Sequence, residues 1–339
     1  MTRHLAFLIC VLALSAVSGC RQKDSREALN DEQDEAARIE VKIKPIYKSI
    51  HHYPSLTLEQ RKECIDSMRE GLVALSAVYN ADLTDEAVLL DYAGRPVTTM
   101  FSPAVDELFP AATLDSVNAA TSRAFSRLKQ ELPAIHIPEM YGVISPYDRS
   151  IYMVDSVMLV ALNHYLGYSF DGYNGMPEYK RTAKTPRRLP YNIVEAMVGI
   201  NYPYTHSETS TLLARMLHSG AIAMAQMMTI ENADIAEVLN FAPQQLEWAE
   251  DNEKNIWNKL VADQLLFSTD PTVGDRLVLP SPGAPMIHQD APGQIGGYVG
   301  YRILKKYMAL HPETTLEQVL SPEFYTNQNV LRESEYTGQ

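Results

Sequence analysis

Gly293-Gln294-Ile295-Gly296-Gly297-Tyr298-Val299-Gly300-Tyr301-Arg302 sets its glycines three and four residues apart. A dinucleotide cradle needs G-x-G-x-x-G directly after a strand, so that the backbone can turn tightly under a pyrophosphate. Here the glycines follow an extended stretch ending in Ala291-Pro292, and the spacing differs. On a helix, Gly293 and Gly297, like Gly296 and Gly300, lie about one turn apart on one face. Lacking Cβ atoms, that face admits a neighbouring backbone, so the run is read as the start of a helix, Gln294 to Met308, packed closely on another. Helical partners lie upstream, because Tyr191 to Asn201, Thr209 to Thr229, Asp234 to Phe241 and Pro243 to Leu266 all repeat apolar residues at helical spacing. Met216, Met224, Met227 and Met228 crowd one of these segments as adaptable core filling. Asp270-Pro271 through Ala291-Pro292 interrupts the periodicity with Pro and Gly.

The preceding half is mixed. Leu58 to Tyr79 reads as a helix entered through a capping box of Thr57 and Gln60, and Leu114 to Leu132 as a second helix stopped by Pro133. Met140 to Ile144 and Ser150 to Val154 are β-rich runs flanking the turn-rich Ser145-Pro146-Tyr147-Asp148-Arg149, and are expected to form a β-hairpin. Val157 to Leu166 is short and apolar, and Gly167 to Gly175 is a glycine- and tyrosine-rich loop of the kind that lines sites. With no repeat and no linker-like shift in composition, the fold class is α+β: a mostly helical single domain with a small β-hairpin or sheet.

Composition narrows the functions open to it. The 339 residues are 46% hydrophobic and carry 29 Lys and Arg against 42 Asp and Glu, a formal charge of −13. That balance suits a folded core and removes the counterion-release term behind most nucleic-acid binding. Past residue 20 there is no apolar run of the roughly 18 residues that a spanning helix needs.

Residues 1–19 read as a signal peptide, with Arg3 ahead of the apolar Leu5 to Leu14. Leu14-Ser15-Ala16-Val17-Ser18-Gly19-Cys20 is similar to a bacterial lipobox, which makes Cys20 the lipidated mature N-terminus and the membrane anchor. Residues 20–40, with Arg21-Gln22-Lys23-Asp24 and Asp31-Glu32-Gln33-Asp34-Glu35, form a charged tether, and 41–339 the globular domain. Of the 3 cysteines only Cys64 is then left, so no intramolecular disulfide is expected and Cys64 is read as a buried helix residue.

Catalytic signatures are scarce. None of the histidines His4, His51, His52, His136, His164, His206, His218, His288 and His311 is spaced i, i+4 with another, as a helical zinc site requires. Neither the G-x-S-x-G elbow nor the P-loop occurs. Glu247, Glu250, Asp251 and Glu253 crowd one segment and read as its solvated face, with Trp248 and Trp257 on the apolar side.

The carboxy-terminal half resembles the gliding-motility lipoprotein GldB family. The matching residues are Gln245-Leu246-Glu247-Trp248, Asn252-Glu253 with Ile256-Trp257, Leu265-Leu266-Phe267-Ser268-Thr269-Asp270, and Pro292-Gly293-Gln294-Ile295-Gly296 leading into Gly300-Tyr301-Arg302-Ile303 and Lys306-Tyr307-Met308. The lipobox, Tyr141-Gly142 and Leu166-Gly167-Tyr168 fit as well. The resemblance implies an envelope lipoprotein working with other envelope proteins of a motility- or secretion-type complex. That family in turn looks distantly like zinc peptidases. Val194-Glu195-Ala196-Met197-Val198 then sits where H-E-x-x-H would, and Ser219-Gly220 where a glutamate-glycine pair would. Valines replace both zinc-ligand histidines, so the resemblance implies a degenerate zincin-like scaffold with no metal and no cofactor, on which Glu195 and Ser219 are remnants. Without a metal to lower the pKa of water, Glu195 has little to activate.

The leading reading is a non-catalytic, lipid-anchored binding or assembly subunit facing the periplasm or the cell surface, without nucleic-acid partners. The alternative is an envelope hydrolase acting on peptide or cell-wall material near Glu195, Ser219 and the tyrosine loop. A carrier for an apolar small molecule is a third. For binding, Tyr147, Tyr168 and Tyr173 are the candidates, because aromatic anchors give contact area at low entropic cost.

Overall fold

Val157-Met158-Leu159-Val160-Ala161 is apolar at every position and buried at every position, the pattern of a strand covered on both faces. In the computed structural model it is the inner strand β4 of a sheet that also contains β1 (Ile43–Lys44), β2 (Glu139–Val143) and β3 (Ile151–Val154), in the order β1-β2-β4-β3. The structure describes residues 38–146, 149–207 and 210–339. The signal segment, Cys20, nearly all of the tether, and Tyr147 lie outside the described residues.

Glu40–Gln339 forms one unit, a mostly helical α+β arrangement as the periodicity implied. The strand pairing differs from the expected hairpin. β2 pairs in parallel with β4, Tyr141 opposite Leu159, and the antiparallel hairpin is β3 with β4, Tyr152 opposite Leu159. Its two-residue turn is Asp155-Ser156, and Asp155 takes φ 51°, the left-handed conformation that Asp tolerates and short hairpins demand. Burial explains the order: β3 buries only Ile151 and so takes the edge, while β4 needs cover on both sides.

Helices enclose the sheet. In chain order they are α1 (Ile46–His52), α2 (Leu58–Ser67), α3 (Arg69–Tyr79), α4 (Glu86–Gly94), α5 (Pro96–Leu108), α6 (Ala111–Glu131), α7 (Glu178–Thr182), α8 (Leu189–Asn201) and α9 (Leu212–Thr229). There follow α10 (Ile235–Leu239), α11 (Pro243–Asp251), α12 (Glu253–Ala262), α13 (Pro271–Val278), α14 (Ile295–Leu310), α15 (Leu316–Leu320), α16 (Pro322–Tyr325) and α17 (Asn329–Glu333). The Thr57–Gln60 capping box forms, with the Thr57 amide donating to Gln60 Oε1 at 3.0 Å. Three expected elements are corrected. Leu58 to Tyr79 breaks into α2 and α3 at Met68, which leaves helical geometry at φ −120° and ψ 14°. Pro243 to Leu266 breaks at Asn252, where φ is −105° and ψ 10°, and Leu265–Phe267 is a 3-10 turn. The Pro- and Gly-rich interval contains α13, entered by Pro271 with the Asp270 side chain accepting from the Thr272 amide.

Two packing centres result. Ile46, Ile50, Leu72, Leu75 and Tyr92 close over one face of the sheet, against Tyr141, Val143, Val157 and Leu159. Gly71 permits this approach, since a Cβ there would lie 2.7 Å from the Tyr141 ring. The second centre is α9 against α14. A Cβ on Gly220 would lie 2.3 Å from the Gly300 carbonyl carbon, and one on Gly297 would lie 2.8 Å from Ser219 Oγ. The glycine run is therefore a helix-packing face.

One acid of the α11–α12 segment departs from its expected solvated role. Glu247, Glu250 and Asp251 are exposed, but Glu253 is 5% exposed. Its carboxylate accepts from the Tyr336 hydroxyl at 2.7 Å and from Arg302 Nη2 at 3.0 Å. A charge can be buried when its acceptor sites are filled in this way.

Candidate functional site

Helix α8 is apolar along most of its length, with Leu189, Tyr191, Ile193, Val194, Met197 and Val198 buried against its neighbours. Pro186 opens the 3-10 turn Pro186–Arg188 that runs directly into it. Arg188, Asn192 and Glu195 stand at i, i+4 and i+7, so they form one polar stripe on this helix. The stripe faces the end of β4 and the start of β3. Asn192 Nδ2 donates to the Tyr165 hydroxyl at 3.1 Å, and Ser150 Oγ is 3.0 Å from His164 Nδ1. These groups lie at the carboxyl ends of the parallel strands β2 and β4, where open sheets form their crevices.

Arg188 is 6% exposed. Its Nη2 donates to Asn192 Oδ1 at 3.3 Å, while Nε and Nη1 are buried with no hydrogen-bond partner. Burial draws this guanidinium below its ordinary value, opposed by the charges of Glu195 and Glu237. Glu195 keeps an exposed surface, yet loss of bulk water around it pushes its carboxyl above the ordinary range, against the pull of Arg188. Glu195 thus stands at the exposed end of the stripe, with Asn192 and Arg188 one and two turns before it. Tyr165, buried beside the stripe, is pushed up to about 12 by burial and stays neutral. The arrangement can hold a negative group and donate neutral hydrogen bonds to it.

The two valines flanking Glu195 fill the core. Val194 and Val198 are each 0% exposed, so hydrocarbon occupies the positions where the peptidase comparison would put metal ligands. Among the described residues no group of three or more His, Cys, Asp or Glu side chains is arranged to hold a metal ion. Ser219 is half-buried on the α9 face turned toward Gly297 of α14, whereas Glu195 belongs to the polar stripe of α8.

The tyrosine candidates separate. Tyr173 is buried at 1% exposure; its hydroxyl accepts from the Leu166 amide at 3.1 Å and donates to the Asn163 carbonyl. It braces the loop from inside and is not an exposed anchor, because its ring lies under Phe170 and near Lys184. Tyr168 is 43% exposed, held by Arg181, whose guanidinium lies 4.5 Å from the ring centre. Tyr147 lies outside the described residues. Cys64 is only half-buried, and burial pushes its thiol up, away from thiolate reactivity.

Arg188, Asn192 and Tyr165 were not singled out from the sequence. The signal was present, since a basic, an amide and an acidic residue recur at helical spacing on an otherwise apolar helix. Away from this stripe, an open groove of about 600 Å³ lies between α2, α3 and the β3–β4 turn. Its cations are paired within the chain, Lys44 with Glu139 and Arg69 with Asp66, each at 2.6 Å.

These features define an α+β protein with a mixed sheet whose edge strand β3 is antiparallel, a glycine-packed helical core and a charged stripe on α8. The chain belongs to the family described as gliding motility protein GldB, whose model matches residues 28–338. No curated protein and no solved structure matches it. Among the described residues no helix is long and apolar enough to cross a membrane.

Proposed function

We propose that this protein is a lipid-anchored, non-catalytic binding or assembly subunit of a motility- or secretion-type complex in the cell envelope. The observation that carries this reading is the pair Val194 and Val198, fully buried on either side of Glu195 in a member of a gliding-motility family. The degenerate zincin-like comparison is supported by position: the edge strand β3 runs antiparallel to the rest of the sheet and touches α8, the helix carrying Glu195. The lipobox ending at Cys20 supplies the anchor. The test is crosslinking in intact cells followed by purification of the lipidated protein, with Cys20→Ser as the mislocalised control. A reproducible set of envelope proteins, lost in the control, is expected; recovery of none counts against the assembly role.

The hydrolase reading draws on a different observation, the desolvated carboxyl of Glu195 beside the cation Arg188, since perturbed groups in crevices gather at active sites. Hydrolysis of peptide or cell-wall material by the full-length protein, lost in the Glu195→Ala, Ser219→Ala double variant, would favour it. Activity unchanged by that double variant removes this site from the reaction.

A further inference from the structure

Arg188 is a cation with too few acceptors. Two of its three guanidinium nitrogens, Nε and Nη1, are buried without a hydrogen-bond partner, and the third meets only the neutral Asn192 amide oxygen at a long 3.3 Å. A buried donor left unsatisfied costs roughly 1–3 kcal/mol, and more when it is charged. The buried charge of Glu253 is satisfied differently, with Arg302 at 3.0 Å and the Tyr336 hydroxyl at 2.7 Å. The acids Glu195 and Glu237 influence Arg188 electrostatically, but neither forms an ion pair with it among the described residues. Asn192 is half-buried and its oxygen stands where a charged acceptor would make the shorter, stronger bond.

We infer that the polar cluster of Arg188, Asn192, Tyr165 and Glu195 is a binding site for a carboxylate group of a ligand, which takes the place of Asn192 Oδ1 on the guanidinium. The Asn192 amide, anchored by its Nδ2 on Tyr165, moves aside and lines the pocket. Glu195, on the same stripe, limits the charge of the ligand. A monoanionic carboxylate matches the single cation Arg188 and brings no second negative charge toward Glu195. A dianionic phosphate meets Glu195 and a chain of net charge −13. The ligand is thus a carboxylate-bearing molecule, such as a chain-terminal carboxyl of a peptide. This goes beyond the assembly role and stands apart from it, because protein partners are read by crosslinking and this site by a small probe.

Equilibrium dialysis of the full-length protein in detergent, with tri-alanine, tri-alanine amide and inorganic phosphate as probes, tests the site. Tri-alanine is expected to bind at least about tenfold more tightly than its amide, the size of one charge-assisted hydrogen bond, and more tightly than phosphate. Arg188→Met removes the discrimination between the two peptides. Asn192→Asp is nearly isosteric, supplies the missing acceptor from within the chain, and is expected to raise the melting temperature while abolishing tri-alanine binding. Equal binding of peptide and amide, no binding of either, or tighter binding of phosphate overturns the inference. So does unchanged tri-alanine binding in Asn192→Asp, a variant expected to fold even if Arg188→Met does not. Recovery of envelope partners with no tri-alanine binding sinks the site alone, and the converse sinks the assembly role alone.

Discussion

Gly300 lies against Met216 so closely that a Cβ on Gly300 would sit 1.8 Å from the Met216 carbonyl oxygen. Backbone, rather than a flexible side chain, occupies that space, so no rotamer change can relieve the clash. Gly300→Ala is therefore expected to cost at least about 3 kcal/mol, the upper range of overpacking, measured as a lower urea midpoint. Gly94, the last residue of α4, has nothing within 4 Å of an added Cβ. Gly94→Ala should instead raise stability by about 0.5 kcal/mol through lower unfolded-state entropy.

That contrast shows what the sequence made legible. The spacing of Gly296, Gly297 and Gly300 foretold helix packing because a local pattern reports a local requirement, whereas Gly293 precedes α14 and its closeness serves the Ser281 carbonyl of a loop. Strand pairing is not local: Met140 to Ile144 and Ser150 to Val154 looked like partners because they are adjacent, and β4 came between them. The turn Asp155-Ser156 and the unbroken apolar run Val157 to Ala161 carried the correct register. Polar residues inside helical segments were least legible. Glu253 reads as solvated beside Glu250 and Asp251, and its burial is made possible by distant residues, Arg302 and Tyr336. Arg188 was passed over for the same reason, as its surroundings include Tyr165 and Glu237 on other elements.

Glu253 predicts how the chain end is held. Tyr336→Phe removes its 2.7 Å bond but leaves Arg302 in place, so a loss of about 1–2 kcal/mol is expected. Glu253→Ala strands the Arg302 guanidinium and two tyrosine hydroxyls, and should cost about 3–5 kcal/mol. The pair also sets an alkaline limit. Burial and the Glu253 bond raise the folded-state pKa of Tyr336 above its ordinary 10.0, so the folded state holds a proton that the unfolded state releases. The contribution of Tyr336 to stability is then constant below about pH 10 and falls as pH rises above it. Tyr336→Phe should flatten that fall in melts taken across the alkaline range.

Tyr168 separates binding from stability. Its ring is 43% exposed and pinned by Arg181, so Tyr168→Ala should change the unfolding free energy by less than about 1 kcal/mol. If the loop is a docking surface, the same change reduces recovery of crosslinked envelope proteins. Full recovery would move the docking surface elsewhere on the molecule. Tyr173→Ala, at a buried residue bridging Leu166 and Asn163, should instead lower stability by several kcal/mol, about 3–5.

Glu195 gives the sign of an acid-range effect. Desolvation raises its folded-state pKa above the ordinary 4.5, so the folded protein favours the protonated acid and ionisation weakens the fold. Below the unfolded pKa both states hold the proton and nothing is lost. As pH rises from there through the folded pKa, the unfolded state releases its proton first, and stability declines. Glu195→Gln keeps the shape and removes the ionisation, so its melting temperature should exceed that of the wild type at neutral pH. The gap should close as the pH is lowered below 4.5. Equal melting temperatures at neutral pH would mean that Glu195 is fully hydrated in the folded protein. A variant less stable than wild type at neutral pH would mean that the ionised carboxylate pairs with Arg188 in solution, filling the guanidinium from within the chain.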